Sequence, residues 1–241
     1  MLQGSTTSMP DLLTTSTIIP VINEVHGLRY LLPQLVRIKE IDQILVIDDG
    51  SVDGTQDFVS LLAAADPRIV LLSREQRGLG SAVRYGARQC ISNYAIVMDG
   101  DGQHRIEDFL AMLTRCRANM QENPVVIGSR FLQDSKISGF PTRRLMLSRL
   151  LTAGLRLTIR NSTSDPLSGF FAAPVDLLVK TKTNGFKILY DLLLQSPDNP
   201  TVDIPISFSR RVGGVSKAQI VELYRLIRII VTFYCSPQSR R

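Results

Sequence analysis

Short apolar runs rich in β-branched residues alternate along the chain with longer stretches whose apolar positions recur at helical spacing. This alternation is the βαβ pattern of a mostly parallel sheet. The runs predict strands at Ser16–Pro20, Gln43–Ile47, Arg68–Leu72, Tyr94–Met98 and Val125–Gly128, with helices between them at Gly27–Lys39, Thr55–Ala64, Gly80–Cys90 and Ile106–Met120. In the last of these helices Phe109, Leu110, Leu113 and Cys116 share one stripe. After Arg130 the pattern loosens. Gln133–Pro141 reads as a loop, followed by a helix at Arg143–Leu157, a short strand at Gly169–Ala173, helices at Val175–Thr181 and Phe186–Gln195, and a strand at Val202–Ser207. There is no internal repeat and no low-complexity segment.

A final helix is predicted at Lys217–Cys235, where Gln219, Glu222, Arg225, Arg228 and Thr232 form a narrow polar stripe and almost everything else is apolar. Such a wide apolar face either docks in a core groove or lies in a membrane interface with its arginines toward the headgroups. The charge pattern bears on that choice. The net charge of +6 sits wholly in the last 32 residues, where seven basic side chains face Glu222 alone, while Met1 to Ser209 carries equal numbers of each sign. A basic end beside a neutral body suggests a phosphate surface, either nucleic acid or anionic lipid, and the apolar face favours lipid.

Composition narrows the class. With 241 residues, 44% of them hydrophobic and 21% charged, the chain can bury one sizeable core, which removes disordered and fibrous readings. Three widely spaced cysteines, Cys90, Cys116 and Cys235, make neither a disulfide framework nor a zinc site and suit a reducing compartment. No apolar stretch reaches the 18 or so residues a membrane span requires, and Met1–Leu13 reads as a flexible lead-in. The chain is therefore expected in the cytoplasm, held peripherally to the cytoplasmic face of a membrane.

Parallel sheets bind ligands beyond the carboxyl ends of their strands, and three of the predicted strand ends are acidic. The first runs into Pro20-Val21-Ile22-Asn23-Glu24, the second into Asp48-Asp49-Gly50-Ser51, and the fourth into Asp99-Gly100-Asp101-Gly102-Gln103-His104. Carboxylates crowded on one rim call for a cation and a polar ligand. Asp99 and Asp101, two apart across a glycine, can aim at one hard divalent ion, and Gln103 repeats the spacing; oxygen donors of this kind suit Mg2+ or Mn2+. A calcium loop fails because its sixth and twelfth positions would be His104 and Leu110. A dinucleotide fingerprint starting at Gly78 fails at Val83. A phosphatase of the haloacid dehalogenase type would need a later strand ending in an acidic pair, and the only adjacent acids after Asp101, Glu107 and Asp108, begin a helix.

The segments IIPVINE (18–24), VIDDGSVDGT (46–55), RGLGSAVRYG (77–86), VMDGDGQH (97–104), IGSRF (127–131), DPLSGFFA (165–172), GFKILYDLLL (185–194) and RRVGGVSK (210–217) occur in this order in the inverting family 2 glycosyltransferases. The chain resembles in particular the dolichyl-phosphate or polyprenyl-phosphate mannosyltransferases, from about Ser16 to Tyr234. The resemblance implies an α/β fold of the GT-A type at 16–213; the residues themselves mark a lead-in at 1–15 and a basic amphipathic membrane-interface helix and tail at 214–241. The resemblance also implies site residues. Pro20, Ile22, Glu24, Ile47 and Asp49 match positions around the nucleoside, while Asp99, Gly100, Asp101 and Gln103 match the metal and diphosphate site. Arg130 matches a position near the transferring sugar and the acceptor phosphate, Arg144 and Ser148 match lipid-phosphate positions, and Lys187, Arg211 and Lys217 match cations that close over the donor diphosphate.

The implied reaction moves mannose from GDP-mannose to a polyprenyl monophosphate with inversion, with Asp101 and Arg130 at its centre. The acceptor is already an anion at neutral pH, so positioning replaces a strong base. Two departures bear on specificity: Ile22 stands where the family usually has an aromatic residue beside the base, and Gly213 where a relative can carry a basic one. The alternatives are a UDP-glucose-dependent glucosyltransferase and a catalytically silent membrane scaffold. A membrane-embedded partner subunit is a further way to present the lipid.

Overall fold

In chain order the elements are β1 (Thr15–Val21), α1 (Val25–Leu35), β2 (Gln43–Asp48), α2 (Thr55–Ala65), β3 (Ile69–Ser73), α3 (Leu79–Ala87), β4 (Tyr94–Val97), α4 (Ile106–Ala118), β5 (Val125–Ser129), β6 (Lys136–Ile137), β7 (Phe171–Pro174), α5 (Val175–Lys180), α6 (Ile188–Gln195), β8 (Thr201–Pro205) and β9 (Ser207–Phe208). The computed structural model describes residues 14–119, 122–137, 152–185 and 187–208, and residues 152–156 are also helical. Seven strands make one sheet in the order β3-β2-β1-β4-β7-β5-β8, and β6 and β9 form a separate ladder. Pairing in the large sheet is parallel throughout except at β7, which is antiparallel to both β4 and β5.

The apolar runs are continuous because both faces of the sheet are covered. Successive strand residues point to opposite sides, so Ile19, Val21, Ile44, Val46 and Ile96 meet Leu28, Leu31 and Leu32 of α1, Val59 of α2 and Phe109, Met112 and Leu113 of α4. Their neighbours Ile18, Leu45, Ile47, Ala95 and Val97 meet Ala82 and Val83 of α3, Leu178 of α5 and Ile188, Leu189, Leu192 and Leu193 of α6. The result is a three-layer α/β/α body.

The predicted elements up to β5 are present, with α1 shorter than its periodicity suggested. It stops at Leu35, and the Arg68 guanidinium takes up the carbonyls of Val36 at 2.5 Å and Ile38 at 2.8 Å that a longer helix would have carried on. The loop predicted at Gln133–Pro141 contains β6, and the single strand predicted at Val202–Ser207 divides into β8 and β9 around Ile206, whose N–H donates to the Ser129 carbonyl at 3.2 Å. The lead-in before Thr14, most of the helix predicted at Arg143–Leu157 and the whole helix predicted at Lys217–Cys235 lie outside the described residues.

Candidate functional site

At the carboxyl ends of β1 and β2 the segments Ile22-Asn23-Glu24 and Asp48–Thr55 brace each other. Pro20 and Ile47 are register partners. Beyond them the Asn23 N–H donates to Ser51 Oγ at 2.8 Å and the Val52 N–H donates back to Asn23 Oδ1 at 2.8 Å. Asn23 has φ 55, a left-handed conformation that asparagine tolerates better than most residues. Asp53 supplies the orphan amides of two helices at once, accepting from Val25 N at 3.1 Å and Thr55 N at 3.1 Å. Partial burial pushes its carboxyl up, but the Thr55 hydroxyl and these amides outweigh that and hold it below the usual carboxylate range. Asp48 is fully buried, with Oδ1 accepting from Gly50 N, Ser51 N and Gln56 Nε2.

Asp49 forms a buried ion pair with Arg74. Its Oδ1 accepts from Arg74 Nε at 2.9 Å and Nη2 at 2.6 Å, and its Oδ2 accepts from Gly78 N at 2.9 Å. This carboxylate, expected beside the nucleoside, therefore also anchors the turn into α3. The glycines of that turn let another loop come close: a Cβ at Gly78 would stand 2.6 Å from the Asn184 carbonyl oxygen, and one at Gly80 2.5 Å from that of Thr183. Arg84 completes the junction by donating to the carbonyls of Thr181 and Thr183 and to Asn184 Oδ1. Lys187, expected near the diphosphate, follows this loop as the residue preceding α6.

The loop after β4 carries the acidic pair. Asp99 keeps 36% of its side chain exposed, while Asp101 is 2% exposed and accepts the Gln103 N–H on Oδ1 at 3.1 Å. Gly100 and Gly27 explain how this loop is set down. A Cβ at Gly27 would lie 2.2 Å from the Gly100 carbonyl oxygen, so α1 rests directly on the acidic turn, and one at Gly100 would lie 2.6 Å from Val21 Cγ1. Gln103 and His104 are buried, and the His104 ring packs on Phe170 with centroids 4.8 Å apart. Burial first, and the positive charge of Arg130 second, push the His104 imidazole down to about 3, so it is neutral at ordinary pH although Asp99 Oδ2 is 4.0 Å away.

Arg130 leaves the end of β5 and meets Asp165, 35 residues further along the chain. Its Nε donates to Asp165 Oδ2 at 2.7 Å, its Nη2 to Oδ1 at 2.9 Å and its backbone N–H to Oδ2 at 3.1 Å. Burial works against the charged guanidinium, but the hydrogen bond and charge of Asp165, with a further contribution from Asp99, raise its pKa above the ordinary value. The pair is backed by Ser164 Oγ, 2.6 Å from Ser129 Oγ, and by Asp203, which accepts from Ser164 N at 2.6 Å and Thr163 Oγ1 at 2.7 Å.

The structure thus brings Pro20, Ile22, Glu24, Ile47, Asp49, Asp99, Gly100, Asp101, Gln103 and Arg130 to the carboxyl ends of β1, β2, β4 and β5. Arg144, Ser148, Arg211 and Lys217 lie outside the described residues. Asp165, Arg74 and Gly27 were not singled out from sequence. Asp165 stood in a quoted segment and Gly27 began a predicted helix, but their partners are distant in the chain. For a divalent ion the donors fit in kind: two carboxylates on one turn, with the space at Asp99 kept open by Gly169, where a Cβ would stand 3.0 Å from Asp99 Oδ2. Hard oxygen donors of this kind suit Mg2+ or Mn2+, ions that usually complete their shell with ligand phosphate oxygens and water.

The profile described as Glycosyl transferase family 2 matches residues 16–180. The dolichol-phosphate mannosyltransferase of Pyrococcus furiosus is 29% identical over 221 residues, covering 89% of this chain and 62% of its own length. The undecaprenyl-phosphate mannosyltransferase of Micrococcus luteus is 31% identical, with 83% of this chain and 86% of that protein covered. The polyprenol monophosphomannose synthase of Mycolicibacterium smegmatis is 32% identical, with 84% and 80% covered. Among solved structures, glucosyl-3-phosphoglycerate synthase from Mycobacterium tuberculosis in complex with Mn2+, UDP-glucose and phosphoglyceric acid matches with a TM-score of 0.69 at 21% identity, covering 93% of this chain and 80% of that one. At that identity the likeness speaks for the fold.

Proposed function

The chain belongs to glycosyl transferase family 2, and from that premise we propose that it transfers mannose from GDP-mannose to a dolichyl or polyprenyl monophosphate with inversion. The observation that carries the reading is the pairing, on one rim, of a carboxylate turn suited to a diphosphate-bound cation with an arginine held by a buried partner. The charge of Asp99 reaches the Arg130 guanidinium and helps to keep it charged, and the neutral His104 lies 4.0 Å from Asp99. An anionic acceptor and an anionic leaving group both need cationic surroundings, and this rim has a place for each. The names of the relatives above, mannosyltransferases acting on dolichol, undecaprenyl or polyprenol phosphates, support the choice of sugar and lipid class.

In this reading Pro20, Ile22, Glu24, Ile47 and Asp49 line the nucleoside, and Asp99, Asp101 and Gln103 are the residues that would hold Mg2+ or Mn2+. The ion, when bound, supplies positive charge to the departing nucleoside diphosphate. Arg130 draws the acceptor phosphate to the face of the anomeric carbon opposite the leaving group, assisted by Arg144 and Ser148. Lys187, Arg211 and Lys217 close over the donor. His104, neutral and wedged on Phe170, fills the space behind the turn and excludes water there. The lipid phosphate oxygen is the nucleophile, so no proton needs to be removed in the displacement.

The acceptor's chain resides in a bilayer. The basic, apolar segment Lys217–Cys235 brings the enzyme to an anionic membrane surface on the cytoplasmic side, where a membrane-embedded partner is a second means of presenting the lipid. Among the described residues no helix is long and apolar enough to cross a membrane. Sedimentation with anionic vesicles at low salt, partly reversed at high salt, is the expected behaviour.

A second donor, UDP-glucose, is kept open by one residue, the aliphatic Ile22 just beyond β1, which stands where an aromatic side chain would pack on the base. A panel of nucleotide sugars offered with a short polyprenyl phosphate, and read by mass spectrometry, decides between them. Lipid-linked hexose from GDP-mannose alone supports the reading, and hexose from UDP-glucose alone replaces it.

A further inference from the structure

The strand β7 is the one reversed member of the large sheet, and its reversal has a consequence at the site. Phe171 at its start pairs with Val97 at the end of β4 and with Ile127 near the end of β5. The residues just before it, Asp165 to Phe170, are therefore delivered to the rim where β4 and β5 release Asp99 and Arg130. Leu167 packs apart from the site with Leu155, Tyr190 and Leu194, but four other residues of this segment touch the site or its support. Asp165 clasps Arg130, Ser168 Oγ donates to the Gly128 carbonyl at 2.7 Å, Gly169 lies against the Asp99 carboxylate and Phe170 carries His104.

We propose that Asp165 is a positioning residue for the transfer reaction, holding the Arg130 guanidinium by its Nε and Nη2 edge so that the Nη1 edge is presented to the acceptor phosphate. The proposal rests on the acceptor reading given above. A guanidinium has five N–H donors in a rigid fork. Asp165 takes the Nε and Nη2 edge in the bidentate geometry that fixes the plane of the group, and among the described residues no hydrogen bond is made by Nη1. Arg130 keeps 21% of its side chain exposed while the Asp165 side chain is wholly buried, so the aspartate is placed to orient the arginine and the arginine to meet a ligand. The arrangement also differs from that of a general base, since both Asp165 oxygens accept from Arg130.

The test is a double-mutant cycle on transfer to a short polyprenyl phosphate, with Asp165→Asn, Arg130→Gln and the pair, varying donor and acceptor separately. Each single variant is expected to raise the acceptor KM by tenfold or more with the donor KM within twofold of wild type. The pair is expected to be no worse than Arg130→Gln alone, because the aspartate acts through the arginine. Additive losses, or a fall in kcat with both KM values unchanged, would overturn the proposal, the second outcome marking Asp165 as a proton acceptor. If Asp165→Asn does not fold, the double variant, which leaves no buried charge unpaired, is compared with Arg130→Gln directly; a folded double variant well below Arg130→Gln overturns the proposal in the same way. Wild type that transfers no sugar to lipid phosphate would instead defeat the acceptor reading, a result separable from any behaviour of the variants.

Discussion

The two sides of the sheet build their share of the site by different means. On the β3-β2-β1-β4 side every strand is parallel, each ends at the same rim, and the residues that follow are site residues by position. On the β7-β5-β8 side the rim is assembled by contacts between segments far apart in the chain: Arg130 with Asp165, 35 residues on, and Ser164 with Asp203, 39 residues on. A repeated parallel unit brings its strand-end residues to one rim by topology, and side-chain pairs such as Asp49 with Arg74 then fix them there. A reversed strand has to place its residues with buried polar pairs, and such pairs cost stability when one partner is lost.

The largest effect should come from the parallel side. Asp101→Asn removes a charge from the turn and leaves its shape, and turnover should fall about 10²–10³-fold, the scale of losing a group that stabilises developing charge, with thermal unfolding unchanged. Chelation should abolish wild-type transfer and Mg2+ or Mn2+ restore it. An active Asp101→Asn enzyme would break the assignment of the donor site to this side.

Next is the seat of that turn. Gly27→Val forces backbone apart where a Cβ would lie only 2.2 Å from the Gly100 oxygen, and calorimetric stability should drop by about 1–3 kcal/mol, with weaker nucleotide binding. On the other side Asp203→Ala strips the acceptor from Ser164 and Thr163. Denaturant unfolding should show a loss of about 1–3 kcal/mol for the exposed donors, with the acceptor KM rising and nucleotide binding unmoved. If both variants weaken nucleotide binding equally, the two sides are not separate.

The smallest effect is expected at Gly169→Ala, where the intruding methyl meets only the 36%-exposed Asp99 carboxylate at 3.0 Å. A side-chain tip can give way, so activity should fall about fivefold, equivalent to about 1 kcal/mol, with no change in unfolding temperature.

The same contrast explains what could be read from sequence. The parallel strands were legible as buried apolar runs, and Asp48, Asp49, Asp99 and Asp101 were legible because acids follow those runs directly. The direction of β7 was not, because Gly169–Ala173 is too short and uniformly apolar to carry a sense. Without it the clasp of Asp165 on Arg130 has no local signal. Asp49 was half legible: its place at a strand end pointed to the site, but its pairing with Arg74, 25 residues away, depends on how β3 lies beside β2. Gly27 looked like an ordinary helix residue until the turn it supports was in place.

The central claim is that a nucleoside diphosphate leaves from the parallel side while a lipid phosphate enters from the other, across one anomeric carbon. The most direct measurement follows the configuration of that carbon by NMR, with isotopically labelled GDP-mannose and a short polyprenyl phosphate. An inverted, β-linked mannosyl phosphodiester that depends on both substrates is the predicted product. A retained α linkage, or free mannose formed at the same rate with and without the lipid phosphate, would contradict it.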